Sequence, residues 1–234
     1  YFYDPDYVTD MRVPGFDPHI DIAVLAEMIT KEDEEFYKRI DKDKEVLGKD
    51  FSFENEVEAK RFKNIKTIRG KAKVVNFSAT YGAGAPKIAE TLKCDLAFAS
   101  KLHKTYWKRN SAVKKTAKDC KVKIVDAQKW LYNPVSGFWM FLKAEKDRFS
   151  TLNQSTGVYV FDTWLRKVRT KLNPLGIRVC MQYHDELLLV TKTQNKDKVE
   201  DMLRLAMVEA NQELSLNVGI KVSVDWGVNY AECH

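Results

Sequence analysis

The sequence predicts an α+β chain, mostly helical, with small antiparallel strand pairs entering late. Three observations predict it. Apolar residues recur at helical spacing through most of the chain, as Phe161, Trp164, Leu165, Val168 and Leu172 do at i, i+3, i+4, i+7 and i+11. Helix starts are marked by capping pairs such as Asp17-Pro18. Runs dense in β-branched and aromatic residues gather after residue 130, each broken by turn residues.

Taken in order, Asp17 caps a helix whose first residue is Pro18 and whose face continues through Ile20, Val24 and Met28. Residues 31–46 form a charge-dense helix with a solvated face. A third helix runs from near Ile65 to Gly82, and Pro86 opens a short one through Leu92. One long helix is expected from Asp95 to about Cys120, where Leu96, Leu102, Tyr106 and Trp107 alternate with cations. The segment 130–140 reads as two short strands around a turn at Asn133-Pro134 and Gly137. The helix carrying Phe161 to Leu172 ends at Asn173-Pro174. Residues 178–190 are β-like with a polar break at His184-Asp185-Glu186, residues 197–213 are an amphipathic helix, and 222–226 close as a strand.

Composition bounds the class. The chain has 234 residues, 44% hydrophobic and 31% charged, which suits a globular core rather than a disordered tail. No apolar run approaches the roughly 20 residues of a membrane span, and the start does not read as a signal peptide. Cys94, Cys120, Cys180 and Cys233 are scattered without a CxxC pair, which argues against zinc and suits reduced thiols in a cytoplasmic compartment. The net charge is +6, and its distribution is more telling than its size.

Three segments carry candidate chemistry. Arg69, Lys73 and Phe77 stand four residues apart, so a helix stacks guanidinium, ammonium and ring on one stripe, with Tyr81 drifting off it beside Gly82. Such a stripe can hold a triphosphate with its cations while a base or sugar packs on the ring; read alone it is equally an amphipathic helix with solvated cations. Residues 101–123 hold nine Lys or Arg against one acid, Asp119. With Tyr106 and Trp107 among them, this segment can track a phosphate backbone, Lys114, Lys115 and Lys118 included, or can simply be a solvated surface. In 181–190, Asp185 and Glu186 sit between two strand-forming runs and so fall at a hairpin tip. Carboxylates on a rigid turn suit Mg²⁺, which takes oxygen ligands and keeps phosphates in its shell; acids are also common turn residues.

Read together, these segments resemble the family A DNA polymerases, which include bacterial DNA polymerase I and many bacteriophage enzymes. Arg69, Lys73, Phe77, Tyr81 and Gly82 match the family's motif B; Gln182, His184, Asp185 and Glu186 match motif C; Gln154, within 153–157, matches a palm-helix glutamine. The ending from Val224 resembles the family's C-terminus, and the likeness spans roughly residues 17–234.

The resemblance implies a right-hand polymerase architecture: a fingers subdomain over 1–140 and the C-terminal part of the palm, with its small antiparallel sheet, over 141–234. It implies DNA-templated DNA synthesis on primer-template DNA from dNTPs. Arg69 and Lys73 would hold the phosphates of the incoming dNTP, and Lys73 would also protonate the departing pyrophosphate. Phe77 would pack on sugar and base and select against dideoxynucleotides, while Tyr81 would sit by the nascent base pair. Asp185 would ligate the Mg²⁺ ions of a two-metal site with Glu186 assisting, and His184 and Gln154 would contact the primer strand. The family's motif A, DxSxxExR, supplies the second metal-binding aspartate. Residues 6–12 echo it faintly with a spacing one residue short, so we expect the true motif upstream of residue 1, in the same polypeptide or a partner chain. Alone, the chain is expected to synthesise little. Divergence from the bacterial pattern suggests a bacteriophage source. Two alternatives stand beside this: a single-subunit RNA polymerase, disfavoured by Phe77 and Glu186, and a non-catalytic DNA-binding subunit, suggested by the absent motif A.

Overall fold

The computed structural model describes residues 4–233. Tyr1, Phe2, Tyr3 and His234, the last residue of the family-like ending, lie outside them. Two compact units emerge, one built from the chain up to Lys129 with Leu142–Ser150, the other from Trp130–Phe141 with the chain from Thr151 onward. The division differs from a single boundary at residue 140. Asn133 is wholly buried and donates from Nδ2 to Ser155 Oγ (2.8 Å) and Thr156 Oγ1 (3.1 Å), which ties the 130–141 hairpin to the later helix. Lys129 pairs with Glu145 at 2.6 Å, keeping the segment after the hairpin with the first unit.

The first unit is helical. A short α1 (Pro5–Met11) precedes α2 (Pro18–Leu25), which Asp17 caps as expected by accepting from the backbone N–H of His19 and Ile20. The helix stops before Met28, because Glu27 turns the chain with φ +59°. A Thr30/Asp33 capping box starts α3 (Lys31–Leu47), and its charge-dense sequence still buries Tyr37 and Ile40. Next, α4 (Glu56–Thr80) begins nine residues before the expected start: Asn55 accepts from Glu58 N–H, and Phe62 and Ile65 belong to the buried face. After α5 (Ala85–Leu92), the cationic segment forms two helices where one was expected, α6 (Leu96–Arg109) and α7 (Ser111–Asp119), broken at Asn110 (φ −106°, ψ 43°). The strand β1 (Val122–Val125) follows.

Two clusters hold this unit along one face of α4, one toward each end. Ile20, Ile22, Tyr37, Ile40, Phe62 and Ile65 join α2, α3 and the first half of α4. Val75, Ala79, Ile88, Leu102 and Tyr106 join its second half to α5 and α6. With each buried aliphatic side chain contributing roughly 1.5–3 kcal/mol, α4 is clamped along its length, and its opposite face is left for other work.

In the second unit, β2 (Gln128–Tyr132), which straddles the division, pairs antiparallel with β3 (Trp139–Phe141), Leu131 opposite Met140. Then comes α8 (Arg148–Leu172), with Trp164, Leu165, Val168 and Leu172 buried as their spacing predicts. The hairpin β4 (Val179–Tyr183) and β5 (Glu186–Leu189) places Gln182 opposite Leu187 and Tyr183 opposite Glu186, with a bulge between Val179 and Met181. Both pack with α9 (Lys196–Glu213) around Trp164, Val199, Leu203, Ala206 and Ala210. The expected closing strand over 222–226 does not form. Val222, Val224 and Trp226 alternate onto this cluster, but Val222 O accepts from the Arg204 guanidinium and Trp226 Nε1 donates to Glu200, in place of a ladder. The period of two was real, but it marks burial of alternate side chains, and the Val222 carbonyl is satisfied by the Arg204 guanidinium rather than by a strand.

Candidate functional site

The exposed face of α4 carries the predicted stripe. Lys73 and Phe77 are exposed, and Lys73 Nζ sits 5.8 Å from the Phe77 ring centroid. Tyr81 lies one residue past the helix end as its C-cap, followed by Gly82 at φ +81°, a conformation open to glycine at no steric cost. Phe77 as a residue is 50% exposed, an open apolar side chain beside the two cations.

The helix start of α2 meets this face. Arg69 Nε pairs with Asp17 Oδ2 at 2.5 Å. The Asp17 carboxyl lies below its ordinary value: burial opposes this, but the Arg69 hydrogen bond and the backbone N–H groups of Ile20 and His19 outweigh burial. The His19 ring lies 6.0 Å from Phe77, tilted 40°. Burial, with Arg69 and Lys73 behind it, lowers the His19 pKa, while Asp17 pulls the other way. Asn76 Nδ2 donates to Pro18 O at 3.1 Å and lies 2.9 Å from His19 Nδ1. Among the described residues its Oδ1 is buried without a hydrogen-bond partner, which costs roughly 1–3 kcal/mol. Behind the helix, Thr80 Oγ1 and Tyr106 OH approach to 2.5 Å, fixing the end of α4 against α6.

The sequence alone singles out Arg69, Lys73, Phe77 and Tyr81 as candidates and gives no reason to add His19 and Asn76, which the structure places beside them; it shows Asp17 only as a cap. The signal for Asp17 and His19 was their position at a helix start; nothing in the sequence tied it to a helix 52 residues away.

In the second unit, the β4–β5 turn consists of His184 and Asp185. His184 adopts φ +52°, uncommon for a residue with a Cβ, and its ring packs edge-on against Tyr183 at 4.4 Å. Asp185 is exposed at the tip, whereas Glu186 is half-buried as the first residue of β5. The two acids therefore occupy different settings. Gln154 lies in the first part of α8. Among the described residues, no group of three or more His, Cys, Asp or Glu side chains is placed to hold a metal. Asp185 presents a hard oxygen donor of the kind Mg²⁺ takes.

The cationic segment is less uniform than its composition. Arg109 is largely buried and bridges Asp10 (2.5 Å) and Asp21 (2.9 Å), so it staples α1 and α2 to α6. Lys101 pairs with Glu27 and Lys115 with Asp119, both at 2.5 Å. Lys114 rests 4.8 Å from the Trp107 ring centroid, and Lys118 is exposed. Cys94, Cys120, Cys180 and Cys233 are free thiols, and no helix among the described residues is long and apolar enough to cross a membrane.

The sequence profile of DNA polymerase family A matches residues 18–232, and the chain belongs to that family. It is 23% identical over 170 residues to the thermostable DNA polymerase I of Thermus filiformis, a match covering 68% of this chain and 20% of that protein. The fold is similar to the polymerase domain of Pol1 from M. smegmatis, solved in complex with DNA primer-template and dNTP. That likeness has a TM-score of 0.69 at 18% identity and covers 98% of this chain and 37% of the other. The chain thus spans between a fifth and two fifths of the length of these relatives.

Proposed function

We propose that the chain supplies the dNTP-binding helix and one metal-ligating carboxylate of a template-directed DNA polymerase. The observation that carries this reading is the α4 face, where two cations, an open aromatic ring and a glycine turn stand in the order that a triphosphate, a sugar and a base require. Arg69 and Lys73 hold the phosphates, and Lys73 gives its proton to the pyrophosphate leaving group. Phe77 packs on sugar and base. Tyr81, past the helix end, reads the shape of the nascent pair. His19 adds a donor beside the two cations.

The unit of α4 is assigned to the fingers and that of the β4–β5 hairpin to the palm. On the hairpin, Asp185 is the metal ligand, Glu186 supports it from β5, and His184 with Gln154 contacts the primer strand. Mg²⁺, when bound, activates the primer 3′-OH and neutralises charge on the transferred phosphoryl group. The second aspartate comes from a segment with the DxSxxExR pattern outside this chain. Lys114, Lys115 and Lys118 lie along the DNA backbone, with Lys115 exchanging Asp119 for a phosphate. An extension assay with that segment supplied, offering dNTPs and NTPs in parallel, tests the reading. Preference for dNTPs is expected, and preference for NTPs contradicts it.

A further inference from the structure

We propose that Asn76 is a positioning residue that fixes His19 as a neutral imidazole protonated on Nε2, holding that N–H as a donor beside Lys73 and Arg69. The inference deepens the proposed nucleotide site and rests on that reading for the donor's target. The carbonyl of Pro18 can only accept, so the Asn76 atom 3.1 Å from it is the amide nitrogen. That contact sets an amide orientation that heavy-atom positions alone leave ambiguous. The same nitrogen lies 2.9 Å from His19 Nδ1, to which its second hydrogen is donated. Nδ1 must then accept, and the ring proton resides on Nε2.

Protonating the ring would set N–H against N–H and break this bond. The charged groups around the ring are Arg69 and Lys73 on α4, which with burial favour the neutral form, and Asp17 at the start of α2, which opposes them. The arrangement leaves Asn76 Oδ1 buried and, among the described residues, unpartnered, so the amide is held in the orientation that serves His19 rather than its own oxygen. A neutral donor adds a hydrogen bond to an anion without adding a third positive charge to repel Lys73 and Arg69 when the anion is away.

Nitrogen-15 NMR of the His19 ring, followed through a pH titration, reads the tautomer directly. In the unsubstituted protein Nδ1 is expected to be unprotonated near neutrality, with ring protonation only below the ordinary value of 6.5. A proton on Nδ1 there overturns the proposal, whatever any variant does. Asn76→Asp replaces the donor by an acceptor of nearly the same shape; it is expected to draw the proton to Nδ1 and raise the pH of ring protonation. A folded Asn76→Asp protein with the tautomer unchanged also overturns it. Added inorganic tripolyphosphate is expected to shift the Nε2–H resonance together with the Lys73 signals. If Lys73 responds and Nε2–H does not, His19 is not positioned toward the anion and the proposal fails. If neither responds, the nucleotide reading fails while the tautomer result still decides the role of Asn76.

Discussion

On α4, the chemistry-bearing side chains are held by neighbours in their own unit: Arg69 by Asp17, Lys73 over Phe77, and Asn76 by Pro18 and His19, with two apolar clusters clamping the helix behind them. On the β4–β5 hairpin, Asp185 stands exposed on a two-residue turn between strands of four and five residues, a pairing that stands alone only marginally. The difference teaches how the two jobs differ. On the proposed reading a nucleotide tail is gripped by one helix and the start of another, so that site would be largely preorganised within this chain. A two-metal centre draws carboxylates from separate segments, and on the proposed reading the hairpin would contribute one of them.

The sharpest way to break this comparison is Asp185→Ala. If the hairpin supplies a metal ligand, extension by the polymerase completed with a DxSxxExR segment falls by roughly 10³-fold or more, while primer-template binding, read by fluorescence anisotropy, is nearly unchanged. Next in size is Lys73→Ala, expected to cost about 10²-fold in kcat/KM for dNTPs in single-turnover kinetics; an unchanged constant would mean the α4 face is ordinary surface. Smaller again, replacing Lys114, Lys115 and Lys118 together by Gln should weaken DNA binding and flatten the slope of log affinity against log salt by roughly 2–3. Sparing the slope would assign these lysines to solvent.

The smallest effect concerns the anchoring of α4. The folded-state pKa of Asp17 is lowered from 3.8, so its ionised form stabilises the fold above that ordinary value, and this contribution is lost as pH falls through the depressed value. Thermal unfolding across that acid range should therefore show a shallower loss of stability in Asp17→Asn than in the unsubstituted protein.

Much of this was legible in the sequence, for identifiable reasons. The stripe on α4 was readable because a helix repeats nearly every four residues, so Arg69, Lys73 and Phe77 declare a shared face without tertiary information. The hairpin break at 184–186 was readable because two strand-forming runs flank it, but Glu186, expected at the tip with Asp185, is the first residue of β5. What escaped depended on contacts between distant segments. His19 and Asn76 become informative only when α2 docks on α4, and Asp17 looked fully employed as a cap. The break at Asn110 was hidden because cations and apolar residues continue through it at helical spacing. Alternation over 222–226 predicts a closing strand that does not form, because alternation reports which side chains are buried, not whether the backbone finds a partner strand.

The central claim, that α4 carries a nucleotide site, is tested most directly by calorimetric titration of a dNTP with Mg²⁺ into this chain and into its Arg69→Ala/Lys73→Ala variant. We predict saturable binding to the unsubstituted chain, weakened by roughly 100-fold or more when both cations are removed. Equal binding by a folded double variant would contradict it.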